Sequence, residues 1–213
     1  MGAARRGGPD ALEALLPQPL PPAELAALGD DRWLSIMTRC VFNAGFNWKV
    51  IEAKWPGFEE AFDGFDTGRC AMLSDDDIDR LLKDKRVVRH ARKLMSVREN
   101  AVFLQGLAAE HGAAGRHLAA WPATDHVGLL DLLKARGSRL GGSTGQYAVR
   151  FIGKDSFILS RDVCAALVRE GVVDKTPSSR RDMAAVQAAF NRWMDESGRG
   201  LTQISRTLAM SVG

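Results

Sequence analysis

What this 213-residue sequence lacks narrows it first. No run of 18 apolar residues occurs, which excludes a membrane-spanning helix. The opening MGAARRGGPD has no apolar stretch of the kind a secretory signal needs. Gly2 follows Met1, but no Ser or Thr stands where N-myristoylation requires one. Cysteine is scarce. Cys40, Cys70 and Cys164 are too far apart for a disulfide framework or for paired metal ligands, and they read as reduced, buried thiols of a cytoplasmic protein. No Cys or His precedes Cys40, and neither follows Cys164. Val, Ile and Thr never gather into alternating runs, which argues against a sheet. Charge of one sign is also in short supply: the net charge is +3, so a polyanionic partner would be met by a local patch rather than by the whole surface.

What is present is apolar and helical. Apolar residues make up 46% of the chain, enough for a sizeable core. The expected fold class is all-α, compact, with two lobes around a cleft. Residues 1–21 read as a disordered or extended N-terminal segment, with a proline-rich connector at Pro17–Pro22. Residues 22–213 read as one helical domain. Asp30 and Asp31 can cap a helix carrying Trp33, Leu34, Met37, Cys40 and Val41 on one face. A break at Asn43–Asn47 follows, then a helix from Trp48 that should stop before Pro56. Ser74-Asp-Asp-Asp77 signals a helix start. A long helical pattern runs from about Val87 to His111, and further helices are expected near 113–120, 127–136, 144–153, 161–170, 180–197 and 201–211.

The stretch RGSRLGGSTGQYAV (Arg136–Val149) carries the most information. Gly137 can end the helix before it, and Gly141 and Gly142 allow positive φ and close backbone approach. Ser143, Thr144, Gly145 and Gln146 open the next helix, whose free amides can hold a phosphate, with Arg139 adding charge. The hairpin, at 127–153, resembles a helix-hairpin-helix, a turn that grips the nucleic-acid backbone. An ordinary helical corner without ligand is the plain alternative. Lys83, Lys85, Arg86, Arg89, Arg92 and Lys93 form a basic run that, beside such a turn, reads as phosphate-facing, although a solvated helix face also explains it. Arg180 and Arg181 could add to the patch.

Five ordered segments give the sequence a wider likeness: Asn43–Trp48 (NAGFNW), Phe58–Asp66 (FEEAFDGFD), SDDDIDRLL, Val87–Lys93 (VVRHARK) with Asn100-Ala101, and Arg136–Tyr147. Together they resemble the bacterial DNA-3-methyladenine glycosylase I family, within the helix-hairpin-helix DNA glycosylase superfamily, over about Trp33–Gly153. The resemblance implies base-excision repair: an alkylated purine such as 3-methyladenine is flipped from duplex DNA and its N-glycosidic bond hydrolysed. A cationic base of this kind leaves readily and can be selected by cation–π attraction. Trp48 matches the family's pocket tryptophan, with Phe46 beside it; plain core packing is the alternative. Cys40 stands where the family has a pocket carboxylate, and the family zinc site has no counterpart, so no metal and no cofactor is expected. Related hairpins hold a monovalent cation, a point on which no residue here bears.

In the wider superfamily a catalytic aspartate opens the helix after the hairpin. Here Ser160 reads as the N-cap and Asp162 as the acid, with Asp155 and Glu52 as weaker candidates; helix-dipole stabilisation is the ordinary role for Asp162. Gln146 stands where lyase-competent relatives carry a Schiff-base lysine, which implies a monofunctional enzyme. The expected partner is double-stranded DNA with damaged bases, bound by a monomer. A glycosylase of different lesion range, a non-catalytic DNA-binding protein and a helical interaction module are the alternatives.

Overall fold

The structure, a computed structural model, describes residues 15–212. Residues 1–14 of the expected N-terminal segment lie outside the described residues. Residues 15–21 carry no helix, yet they are fastened to the body: Leu16 is buried with Met210, and the Leu20 N–H donates to the Gly153 carbonyl at 2.8 Å.

Among the described residues every regular element is a helix, as the composition and periodicity predict. In chain order they are α1 (Pro22–Ala27), α2 (Asp30–Asn43), α3 (Trp48–Ala61), α4 (Thr67–Ala71), α5 (Asp75–Leu81), α6 (Ala91–His111), α7 (Ala114–Ala120), α8 (His126–Arg136), α9 (Ser143–Phe151), α10 (Arg161–Arg169), α11 (Arg180–Ser197) and α12 (Leu201–Met210), with 3-10 turns at Asp63–Phe65 and Ala123–Asp125. No helix is long and apolar enough to cross a membrane.

The buried side chains gather in two main clusters. The larger holds Trp33, Leu34, Met37 and Phe42 of α2 against Phe58 of α3, Leu94 and Leu104 of α6, Leu129 and Leu133 of α8 and Val149 of α9. The smaller joins Phe157 to α10, α11 and α12 through Val163, Leu167, Phe190 and Leu201. Leu130 packs against both. The amphipathic period that predicted α2 thus becomes the central contact, with α2 packed on α6 and α9.

Three boundaries differ from the sequence expectation. The helix from Trp48 does not stop before Pro56 but runs through it to Ala61. Interior proline costs a helix about 3 kcal/mol. Ile51 and Phe58, both 0% exposed, anchor the helix on either side and outweigh that cost. The long helix begins at Ala91 rather than Val87, with its N-cap His90 in extended backbone (φ −141°, ψ 100°). Asp30 and Asp31 lie in the first turn of α2, with Gly29 at its cap. The Asp30 carboxylate instead accepts the amides of Ala114 and Gly115, at 3.3 and 2.6 Å, and so caps α7. Ser74 forms the expected cap, in a full capping box with Asp77.

Candidate functional site

The end of α2 and the start of α3 make one wall of the site. Helix α2 stops at Asn43, Gly45 turns the chain at φ 72°, and the Asn47 side chain accepts the Lys49 N–H to cap α3. That geometry leaves Trp48 in the first helical position and 42% exposed, where a core tryptophan would be covered. Its ring meets Tyr147 and Phe151 of α9 edge-on, with centroids 5.3 and 5.7 Å apart. Phe46, also 42% exposed, lies over the Lys93 ammonium at 5.2 Å.

Two cavities meet at this wall. One, of about 210 Å³, is lined by Cys40, Asn43, Gly45, Trp48, Ser143 and Tyr147 among others. The other, of about 340 Å³, is lined by Ile36, Arg39, Asn43, Trp48, Glu52 and Phe151. Trp48 and Cys40 therefore share a cavity, and that cavity reaches the first residues of α9. Burial pushes the Cys40 thiol up to about 12, so it is neutral at physiological pH and its position contributes no charge. The carboxylate at this site is Glu52, one helical turn beyond Trp48 and ion-paired with Arg39 at 3.2 Å.

The glycine-rich turn forms the opposite border. The Gly137 N–H closes α8 on the Leu133 carbonyl. Positive φ falls at Arg139 (61°) and Gly142 (59°), and not at Gly141. Arg139 is exposed, and Gly142 caps α9 without a side chain, so no side-chain cap meets the first-turn amides of Ser143 and Thr144. Gly145 is buried because α9 passes so close to the turn that a Cβ there would sit 2.3 Å from the Leu140 carbonyl oxygen. Gln146 departs from the phosphate-facing set: it is buried, and its Oε1 accepts the Leu159 N–H at 2.7 Å. Asn100, which entered the sequence analysis only as part of a wider likeness and without a role, pairs its carboxamide with both backbone groups of Ser138 (2.7 and 3.1 Å) and clamps the turn to α6. Its signal was a polar residue between the apolar positions Val97, Ala101 and Leu104.

The basic run is thinner than the sequence suggests. Lys93 is 3% exposed and turns inward, donating to the Phe42 and Ala44 carbonyls at 3.0 and 2.7 Å. It caps the C-terminal end of α2 and fixes the Ala44–Gly45 corner. Burial, with the nearby Arg139 charge, holds its pKa below the usual lysine range. Arg86 is engaged by Asp84 and Glu60. Lys83, Lys85, Arg89, Arg92, Arg180 and Arg181 are exposed.

The remaining candidate acids sit apart from the cavities at Trp48. Asp162 is exposed in the first turn of α10, behind the Ser160 cap, and lines neither cavity. The Asp155 carboxylate accepts the Leu201 and Thr202 amides, at 2.9 and 2.8 Å, and is occupied in capping α12. Among the described residues no three His, Cys, Asp or Glu side chains converge as a metal site would require.

Comparison with known proteins bears on the fold and on the first part of the chain. Residues 26–127 match the family model for methyladenine glycosylase. The fold is similar to 3-methyladenine DNA glycosylase I from Staphylococcus aureus, at 21% identity over 71% of this chain and 88% of that one, with a TM-score of 0.52. A mutant of the Staphylococcus aureus enzyme gives 20% identity over 84% and 100% of the two chains, TM-score 0.53. A variant of 3-methyladenine DNA glycosylase I in complex with 3-methyladenine gives 20% over 71% and 89%, TM-score 0.54. No curated protein matches the chain. The resemblance read from the sequence therefore holds, in the fold and over residues 26–127. The family match ends before the glycine-rich turn.

Proposed function

We propose that this chain, similar to the methyladenine glycosylases in fold and across residues 26–127, is a monofunctional base-excision glycosylase that hydrolyses the N-glycosidic bond of a flipped-out alkylated purine in duplex DNA. One observation carries the reading: Trp48 and the opening of α9 border the same cavity, so a stacking ring and free helix amides lie within one nucleotide's reach of each other.

In this scheme the amides of Ser143 and Thr144, with Arg139, hold phosphate, and Trp48 stacks on the extruded base. The positive charge of an alkylated purine favours both the aromatic face and departure of the base. As the C1′–N bond breaks, the electron pair stays with the base and a water oxygen adds to C1′. The water's proton passes to a carboxylate or to solvent. Glu52 is the first candidate for that carboxylate because it shares a cavity with Trp48, and Asp162 is the second. The enzyme acts as a monomer on damaged double-stranded DNA.

The test is incubation with methylated duplex DNA and lesion-bearing oligonucleotides, followed by alkaline cleavage at abasic sites. Release of 3-methyladenine that is lost in Glu52→Gln and spared in Asp162→Asn supports the scheme; the reverse pattern moves the acid to Asp162. Borohydride should trap no covalent enzyme–DNA adduct, since Gln146 offers no amine and is held by Leu159. A trapped adduct would contradict the monofunctional assignment.

The neutral Cys40 favours one competing reading, a DNA-binding protein without catalysis. Tight duplex binding with no product from any lesion would establish it. Either reading needs the turn. Gly142 has φ 59° and ψ −137°, a region open essentially to glycine alone. Gly142→Val should weaken duplex affinity by about tenfold, as roughly 1–3 kcal/mol of strain distorts the cap. Unchanged affinity in a fluorescence-anisotropy titration would remove the turn from the DNA interface.

A further inference from the structure

Positive charge collects at the C-terminal end of α9. A cavity of about 570 Å³ lies there, lined by Arg150 of α9, by Lys154 just beyond it and by Arg206 of α12. No acidic side chain is among its described lining residues. Lys154 is 7% exposed, and its ammonium donates to the Ala119 and Trp121 carbonyls at 2.8 and 2.7 Å. Arg150 is half-buried and donates from Nε and Nη2 to Ser156. These oxygens satisfy hydrogen bonds but carry no formal charge, so they leave the two cations unbalanced. Asp155, the carboxylate that acts on both, is held by the Leu201 and Thr202 amides. Burial pulls Arg150 down to about 10 and Lys154 down to about 8, with Asp155 opposing the fall in part. Arg206 is exposed and makes no hydrogen bond or ion pair with the described residues.

The other walls set the size and kind of ligand. Leu15, Pro17 and Pro19 of the strap before α1 border the cavity, and Phe151, 44% exposed, adds an aromatic ring. The strap is fixed in place: Leu16 is buried with Met210, and the Gln18 side chain accepts from Gln203 of α12 at 3.2 Å. A volume of this size falls within the roughly 300–1,000 Å³ of small-molecule sites. Independently of the glycosylase function, we infer that this cavity binds a phosphomonoester of nucleotide size, its phosphate among Arg150, Lys154 and Arg206 and its organic part against Phe151 and the prolines. Guanidinium and ammonium donors match phosphate oxygens in charge and in geometry. A ligand held this way joins α9, which carries Val149 of the larger core cluster, to α12, which carries Leu201 of the smaller one. Its binding should therefore raise the melting temperature.

Thymidine monophosphate, thymidine and inorganic phosphate test this on the full chain at fixed ionic strength, by calorimetry and thermal melting. The monophosphate should bind and raise the melting temperature. Thymidine should bind at least about tenfold more weakly, since it lacks the charge-assisted hydrogen bonds. Inorganic phosphate should compete with the monophosphate. Arg206→Gln should lower affinity for the monophosphate by about tenfold, and the melting temperature of the free protein should not change, because Arg206 holds nothing in the fold. Arg206→Lys keeps the charge and should keep most of the affinity. Arg192→Gln, an exposed cation outside the cavity, should leave the affinity unchanged. If Arg206→Gln does not fold, the comparison of monophosphate with thymidine decides. Equal affinity for those two, no binding of the monophosphate, or an Arg206→Gln variant with the original affinity overturns the assignment. An equal loss in Arg192→Gln overturns it in favour of general surface charge. Duplex DNA separates the other source of phosphate: if Arg206→Gln weakens duplex binding and the monophosphate does not compete with the duplex, the cations serve the DNA backbone and the small-ligand site falls.

Discussion

Trp48→Ala should lower kcat/KM for excision of a methylated purine by about ten- to hundredfold, since stacking on an aromatic side chain is worth roughly 1–3 kcal/mol per base. The fold should tolerate the change. The ring is already 42% exposed, and it contacts Tyr147 and Phe151 by their edges instead of filling a core position. The loss is therefore expected in activity and in affinity for the free base, with only a small shift in melting temperature. Trp48→Phe, which keeps a smaller aromatic face, should recover part of the rate. The stack bears more of the binding here because Cys40, its neighbour in the cavity, is uncharged. A variant that loses stability in step with activity would make Trp48 a packing residue. A stable variant with full activity would remove it from the base pocket.

How far the site could be read in advance depended on whether local chemistry or distant packing decided each residue. Helix ends set by their own neighbours were legible: Ser74 with Asp77, Ser160 with the Val163 amide, and Gly137 closing α8 all act within a few residues of themselves. The tryptophan of NAGFNW was legible for the same reason, because the Gly45 turn and the Asn47 cap place it. What stayed hidden involved partners far along the chain. Lys93 looks like one more cation of a basic run, and only the approach of Phe42 and Ala44, about fifty residues earlier, turns it inward. Gln146 lies on an opening helical turn that seems exposed until the Leu159 amide arrives. Pro56 reads as a stop, and burial of Ile51 and Phe58 against other helices overrides it. Glu52 gained weight over Asp162 once α9 had brought Phe151 against Trp48 and closed a cavity beside the carboxylate. Periodicity reports which face is buried, but it does not report what that face meets.

Below pH 6.5 the protein should lose stability by about 1.4 kcal/mol for each pH unit, and one buried histidine should be the main source of the upper part of that loss. His126 opens α8 at 1% exposure, with its ring edge on Phe157 at 4.5 Å and no well-formed hydrogen bond to either nitrogen. Burial drives its pKa down to about 3, the Phe157 backbone opposes this in part, and the charges of Lys154 and Arg150 add to the depression. The unfolded chain takes up a proton near 6.5, while the folded chain refuses it until about 3. Between those values the unfolded state binds more protons, so stability is full above 6.5 and declines as the pH falls, by on the order of 4–5 kcal/mol across the window. That is a large share of the roughly 5–15 kcal/mol that holds a typical domain together. The capping and ion-paired carboxylates Asp77, Asp84, Glu110 and Asp182 have lowered pKa values too, and their contribution is also lost on acidification, but only near and below pH 4.5. The interval from 6.5 to 5 therefore separates the histidines from the carboxylates; His117, lowered by partial burial and by the neighbouring His111, contributes there in the same direction as His126. Urea unfolding at constant ionic strength should give the full slope there for the unmodified protein and a clearly shallower profile for His126→Leu, in which His117 remains to be protonated. The consequence reaches the site, because α8 leads directly into the glycine-rich turn and carries Leu129 in one core cluster and Val127 against the other. Equal slopes in the two proteins would mean that the imidazole is reached by solvent or a proton donor that this packing does not provide.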